Sequence, residues 1–141
     1  MSGTKWLQKQ EHFDWMQKCL NSWKTCEELI SWNIQNGKYL NTINACRDVA
    51  EMCSQCIKFE AQRSPFFQQL CEVCAEICEG CAVELEKFES ENGIFMETIN
   101  SCRTFASACR EVAEKQTREQ TNFTKVTGYK NKSKKNQKVI T

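Results

Sequence analysis

Apolar side chains recur at intervals of three and four along the first third of the chain, with Cys19, Trp23, Cys26, Leu29 and Ile30 on one stripe. Lysine, glutamine and glutamate fill the positions between them, which is the pattern of a helix with one buried face. The stripe predicts a first helix from about His12 to Asn33. A start as early as Thr4 would add Trp6 and Leu7, and Asn36-Gly37 supplies the left-handed C-terminal stop. A second stripe, Ile43, Cys46, Val49, Ala50, Cys53, Cys56 and Ile57, predicts a helix from about Asn41 to Arg63. Ser64-Pro65 closes it and opens the next, with Ser64 as N-cap and Pro65 at the first helical position, where its missing N–H costs nothing. The third helix spans Pro65 to Glu91 and stops at Asn92-Gly93. The fourth starts near Ile94, buries Ile99, Cys102, Phe105, Ala106, Cys109, Val112 and Ala113, and fades around Gln120.

Short connections between long helices make sequence neighbours antiparallel, so the expected fold is all-α, an up-down-up-down four-helix bundle over residues 1–121. One proline and five glycines in 141 residues are sparse punctuation for a sheet protein. From about Asn122 the periodicity stops, and the last twenty residues hold six lysines and no acid. Residues 122–141 are therefore expected to be a disordered, basic C-terminal tail. Setting those six lysines aside leaves 13 basic residues against 18 acidic ones, so the bundle is acidic. The tail lacks arginine and interleaved aromatic residues, and a solvated tail without nucleic acid or membrane partners is the expectation. No stretch is apolar enough for a secretory or membrane-spanning segment, which predicts a cytoplasmic protein.

The candidate chemistry lies in the stripes themselves. Eleven cysteines occupy positions where leucine would normally build a core, and Cys71, Cys74, Cys78 and Cys81 read C-x2-C-x3-C-x2-C inside one helix. Such spacing puts all four sulfurs on one face. In a reducing compartment these are thiols or metal ligands, and an odd number cannot pair completely. Counting from Gly37 and Gly93 places Cys26, Cys46, Cys81 and Cys102 at one depth, one from each helix. Deeper come Cys19, Cys53, Cys109 and the Cys74/Cys78 pair, with Cys56 and Cys71 nearest the Ser64-Pro65 turn.

Stacked thiols inside helices suit one metal better than others. Zinc favours ligands from knuckles and often takes histidine, whereas this chain has only His12, on a polar first turn. Iron–sulfur clusters need a loop that wraps its ligands. Cu(I) is soft, accepts two or three thiolates and can bridge between pairs. One ion on two unshared thiolates leaves a buried negative charge, so sharing of thiolates between ions is favoured. The sequence thus predicts multiple Cu(I) ions, on the order of 6 to 10 per chain.

Over SPFFQQLCEVCAEICEGCAVE (64–84), CRDVAEMCSQC (46–56) and CRTFASACR (102–110), the chain resembles the cytosolic cysteine-rich four-helix-bundle copper storage proteins. The resemblance implies Cu(I) storage or buffering without catalysis, and assembly of bundles into homo-oligomers, as tetramers. It departs from that family at Leu29, Asn33, Leu85, Phe95, Thr98 and Phe105, where further cysteines would stand, and at the turn 88–93, which carries no histidine. Reduced capacity is expected. Met96, at the same end, is a candidate soft ligand for handing copper over.

The alternative is a structural or partner-binding bundle that has lost copper storage and keeps cysteine as a small core residue. Trp23, Phe105 and Val112 could then isolate Cys19, Cys56 and Cys109 in ordinary packing. Glu72, Glu76, Glu79, Glu84 and Glu86 read as a solvated face with no accompanying base or nucleophile, so no enzyme is expected. The four tryptophans read as packing groups.

Overall fold

The computed structural model describes residues 9–37, 39–88 and 93–127, with side chains through Lys115. Its elements are four helices: α1 (Lys9–Asn36), α2 (Leu40–Ala61), α3 (Phe67–Glu86) and α4 (Gly93–Thr127). Each packs on its sequence neighbours, and α1 closes against α4. The result is the expected antiparallel four-helix bundle, with no strand among the described residues. Trp6 and residues 128–141 of the expected tail lie outside the described residues, while α4 itself continues to Thr127, past the point where apolar periodicity ends.

The chain reversals differ in detail from their sequence reading. Gly37 adopts φ 60°, the left-handed stop expected of it. Between α2 and α3 the stop falls on Arg63, at φ 54°. Its N–H bonds Glu60 O at 3.0 Å and the next N–H, of Ser64, bonds Phe59 O at 3.0 Å, the paired bonds of a Schellman ending. Ser64 Oγ then accepts the Phe66 N–H at 3.1 Å. Pro65 and Phe66 stay in this turn, so α3 begins at Phe67 rather than at Pro65.

Helix α3 also ends earlier than expected, at Glu86 rather than Glu91. Lys87 and Phe88 bond carbonyls only three residues back, which tightens the end, and Phe88 turns away to stack on Tyr39 at 4.2 Å. Gly93 consequently opens α4 instead of ending α3. Tyr39 sits at φ 56°, a conformation that costs a residue with a Cβ about 1 kcal/mol. Its ring contacts to Phe88 and, edge-on at 5.9 Å, to Phe95 offset that cost, each ring pair contributing about 1 kcal/mol.

Aromatic clusters pack toward both ends of the core. At the turn end, Trp32 meets Phe95 edge-on at 5.6 Å beside Tyr39 and Phe88. At the proline end, Trp15 lies 5.4 Å from Phe67 and 5.7 Å from Phe105. Polar contacts bind the rim: His12 Nδ1 meets Glu60 at 2.9 Å, and Arg103 with Glu86, Arg110 with Glu79 and Lys115 with Glu11 form ion pairs. The acids of α3 are thus a partly paired surface, as is His12, in keeping with their sequence reading.

Candidate metal centre

The helical repeat directs all eleven cysteines inward, and every one is unpaired and buried. At the turn side, Cys26 of α1, Cys46 of α2 and Cys81 of α3 bring their Sγ atoms within 4.8 Å of one another. Cys102 of α4 completes the ring, its Sγ 3.8 Å from that of Cys26. Cys46 and Cys81 are 3.9 Å apart. This is the four-helix tier that residue counting placed at one depth.

The deeper thiols are less neatly layered than the count suggests. Cys56 neighbours Cys109, Cys71 and Cys74, so a second, looser group of four draws on α2, α3 and α4. Helix α1 contributes no sulfur there, because Trp15 occupies its place against Phe67 and Phe105. Cys74 and Cys109, expected level with Cys53, join the proline-end group instead. For Cys74 the reason is side-chain direction: a helical Cβ tilts toward the N-terminus, which on α3 is the proline end. Between the groups, Cys19 donates to the Cys53 carbonyl at 3.6 Å and also neighbours Cys53 Sγ. Cys78, 4.0 Å from Cys74 and in the field of Cys102, Cys53 and Cys81, links the two groups. Cys19, Cys56 and Cys109 are therefore in contact with other thiols, and Phe105 does not wall them off.

Met96 lies elsewhere. It is exposed on the first turn of α4, at seven-residue spacing from Arg103 and Arg110, both of which pair with acids of α3.

The thiols control one another's protons. In each group the bonds among the thiols and their shared burial favour one thiolate, which is the first to ionise. Cys46, bonded to Cys26 and Cys81, is lowered to about 5. Cys56, interacting chiefly with Cys109 and then with Cys71 and Cys74, is lowered well below its ordinary value of 9.0. The others are held protonated. Cys26 is raised by its bonds to Cys102, Cys46 and Cys81 and by burial, Cys71 and Cys74 by their bonds to Cys109 and Cys56, and Cys19 by Cys53. At Cys102, bonds from Cys26 and Ser22 favour the thiolate, but Cys81 and burial outweigh them and push it up to about 12. Burial raises Cys109 and prevails over the bond from Cys74 to raise Cys78.

These spacings suit a soft ion. With metal–thiolate bonds of about 2.3 Å, two sulfurs on a trigonal ion stand about 4.0 Å apart. The sulfur pairs at 3.8, 3.9 and 4.0 Å need little movement to reach that separation. A buried group of four thiols with no nitrogen or carboxylate among them is a donor set for Cu(I) rather than for a hard cation.

Beyond the first tier, toward the turn end, the ladder of sulfur stops. Leu29, Asn33, Leu85, Phe95 and Thr98 are all fully buried there. Asn33 donates to Thr42 Oγ1 at 2.9 Å, Thr42 donates to the Tyr39 carbonyl at 2.8 Å, and Asn33 Oδ1 has no partner. The sequence singles out Leu29, Asn33, Leu85, Phe95 and Thr98 but not this polar pair, since a lone asparagine and a threonine nine residues apart give no signal until the helices pack.

The sequence profile of the Csp, or copper storage protein, family matches residues 8–114. The chain is 29% identical over 102 residues to the uncharacterised cysteine-rich protein YhjQ of Bacillus subtilis strain 168, covering 70% of this chain and 92% of that one. Among solved structures it is similar to the apo form of copper storage protein 3 from Bacillus subtilis, with a TM-score of 0.64 and 26% identity over 70% of this chain and 95% of the other. The fold also matches that of a Cu(I)-bound copper storage protein, BsCsp3, with a TM-score of 0.66 at 24% identity over 73% and 98% of the two chains. Storage rather than catalysis is the activity of this group. The chain is a member of the copper storage protein family.

Proposed function

We propose that this protein stores Cu(I) on the thiolates of its core, several ions to a chain, in the cytoplasm. The observation that carries the reading is the Cys26–Cys46–Cys81 triad within 4.8 Å, extended by Cys102. Cys19, Cys53, Cys56, Cys71, Cys74, Cys78 and Cys109 continue the sulfur path and complete the ligand set. Shared thiolates keep the loaded core near neutrality, which favours filling toward one ion per sulfur, on the order of 6 to 10 ions. Each protonated thiol releases about one proton as it binds. Met96 is a surface ligand for transfer. A relative of this fold carries Cu(I) in its solved structure, which supports the choice of metal.

Capacity is reduced relative to a bundle with cysteines to its mouth, because the five buried residues beyond the first tier offer no thiolate. Eleven unpaired cysteines fit a reducing compartment, and no helix among the described residues is long and apolar enough to cross a membrane. Exposed Val73 and Val83 on α3 supply apolar surface for self-association into tetramers.

Anaerobic Cu(I) titration against a competing chelator tests the reading. Uptake of several equivalents, strongly diminished by changing Cys71, Cys74, Cys78 and Cys81 to alanine, is expected. Uptake of one ion or fewer would identify a structural bundle whose cysteines only pack.

A further inference from the structure

Rings pack toward both ends of the bundle, where a ladder of ligands would naturally open. Trp32, Tyr39, Phe88 and Phe95 cluster at the turn end, and toward the other end Phe67 packs on Trp15, which also meets Phe105 beside the second thiol group. Aromatic side chains offer a soft ion no exchangeable ligand, and moving a packed cluster of them exposes a large apolar area.

The α1–α4 seam is built differently. A cleft of about 600 Å³ opens there, lined by Lys18, Asn21 and Lys24 of α1 and by Glu97, Asn100 and Ser101 of α4. A second, smaller cleft beside Trp15, Val112 and Lys115 follows the same seam. The floor of the larger cleft is thin and polar. Asn21 Nδ2 donates to Ser101 Oγ at 3.4 Å, and Ser22, fully buried just beneath, donates its hydroxyl to Cys102 Sγ at 3.8 Å. Cys102 in turn touches Cys26. Two layers of small side chains therefore separate the cleft from the first thiol pair. Rotating serines and an asparagine costs far less than displacing packed rings.

We propose that Cu(I) reaches the core sideways, through the α1–α4 seam at Asn21, Ser22 and Ser101, and is taken first by Cys102 and Cys26. The inference rests on the copper-storage reading above. In a thiol-rich medium Cu(I) travels as a small anionic complex on two thiolates, and Lys18 at the lip of the cleft offers it a cation, Lys24 being paired there with Glu28 at 2.9 Å. Transfer is ligand exchange without redox change. A bond from copper to Cys102 Sγ forms as one carrier sulfur leaves, and the Cys102 proton goes to that departing thiolate. Cys26 repeats the exchange with the second carrier sulfur. The Ser22 hydroxyl, aimed at Cys102 Sγ, supports the thiolate as the proton leaves.

Two measurements on the full chain test this. In the first, one equivalent of Cu(I) held by excess glutathione is mixed rapidly with apo-protein, the free thiols are alkylated at short times, and protected sites are mapped by mass spectrometry. Protection of Cys26 and Cys102 ahead of Cys56 and Cys71 is expected; the reverse order overturns the route. In the second, Ser101→Leu fills the floor while Phe88→Ala opens the turn end, and uptake rate and final stoichiometry are read for each. Ser101→Leu should slow uptake by about tenfold with capacity unchanged, and Phe88→Ala should leave the rate as it was. If Ser101→Leu misfolds, Asn21→Phe on the exposed side of the seam makes the same test. A wild-type rate in the seam variants, or faster loading in Phe88→Ala alone, overturns the route and leaves storage standing. Failure of the wild-type chain to take up copper removes both.

Discussion

Cys46 Sγ and Cys81 Sγ stand 3.9 Å apart across the α2–α3 interface, although 35 residues separate them along the chain. Neither helix could make this pair alone, and antiparallel packing brings the two positions to the same depth. The first prediction follows from the contrast between such a pair and an ordinary core residue. Changing Cys46 and Cys81 together to alanine should lower capacity by about two Cu(I) ions, while each truncation costs only about 1 kcal/mol of apo stability. Ile99→Ala, equally buried, should do the opposite, costing about 3 kcal/mol and leaving capacity intact. Copper per chain after desalting, beside urea unfolding of each apo variant, checks both halves.

The proton couplings predict how the apo-protein responds to pH. Thiols raised in the folded state, Cys19, Cys26, Cys71, Cys74, Cys78, Cys102 and Cys109, ionise first in the unfolded chain, near 9.0. Above that pH the unfolded state binds fewer protons, so stability is full below about 9 and falls as pH rises. Cys46 and Cys56 act with the opposite sign: their folded values are depressed, so their contribution is present above about 9 and is lost as pH falls, for Cys46 toward about 5. Stability of the metal-free bundle should therefore peak on the mildly alkaline side of neutrality and drop more steeply above it than below. Thermal melts from pH 5 to 11 measure this, and a flat profile above pH 9 would contradict it.

Asn33 and Thr42 lie beyond the point where the sulfur ladder stops. Thr42→Val alone removes the acceptor from a buried amide whose Oδ1 already lacks a partner, and should cost about 2 kcal/mol. Asn33→Leu with Thr42→Val removes both partners and should be close to neutral. The same region tests capacity: Leu29→Cys, Asn33→Cys and Leu85→Cys together should extend the ladder and raise copper uptake by about three ions. No gain in uptake from three added thiols would show that the missing cysteines do not set capacity.

Two backbone positions offer stability without touching the site. Arg63 holds a left-handed conformation that glycine adopts freely, so Arg63→Gly should stabilise by about 1 kcal/mol. Gly80 lies inside α3, exposed, with open space where a Cβ would sit, and Gly80→Ala should add about 1 kcal/mol more. Because Arg63 is exposed in the turn between α2 and α3 and Gly80 faces solvent beside Cys81, copper uptake should be unchanged in both.

Periodicity of three and four was enough to give four helices, their antiparallel order and the inward direction of Cys19, Cys26, Cys46, Cys53, Cys56, Cys71, Cys74, Cys78, Cys81, Cys102 and Cys109, because a helix presents such positions on one side whatever it packs against. The tier of Cys26, Cys46, Cys81 and Cys102 was also legible, since two short turns at one end set the heights of all four helices. Tertiary packing decided the rest. It drew Cys74 and Cys109 toward Cys56 and Cys71, set Trp15 rather than a sulfur of α1 beside that group, ended α3 at Glu86 so that Phe88 could meet Tyr39, and paired Asn33 with Thr42. Which helix seam is lined with rings and which with serines depends on how neighbouring helices rotate about their axes, and that rotation is fixed only when the side chains of different helices interlock.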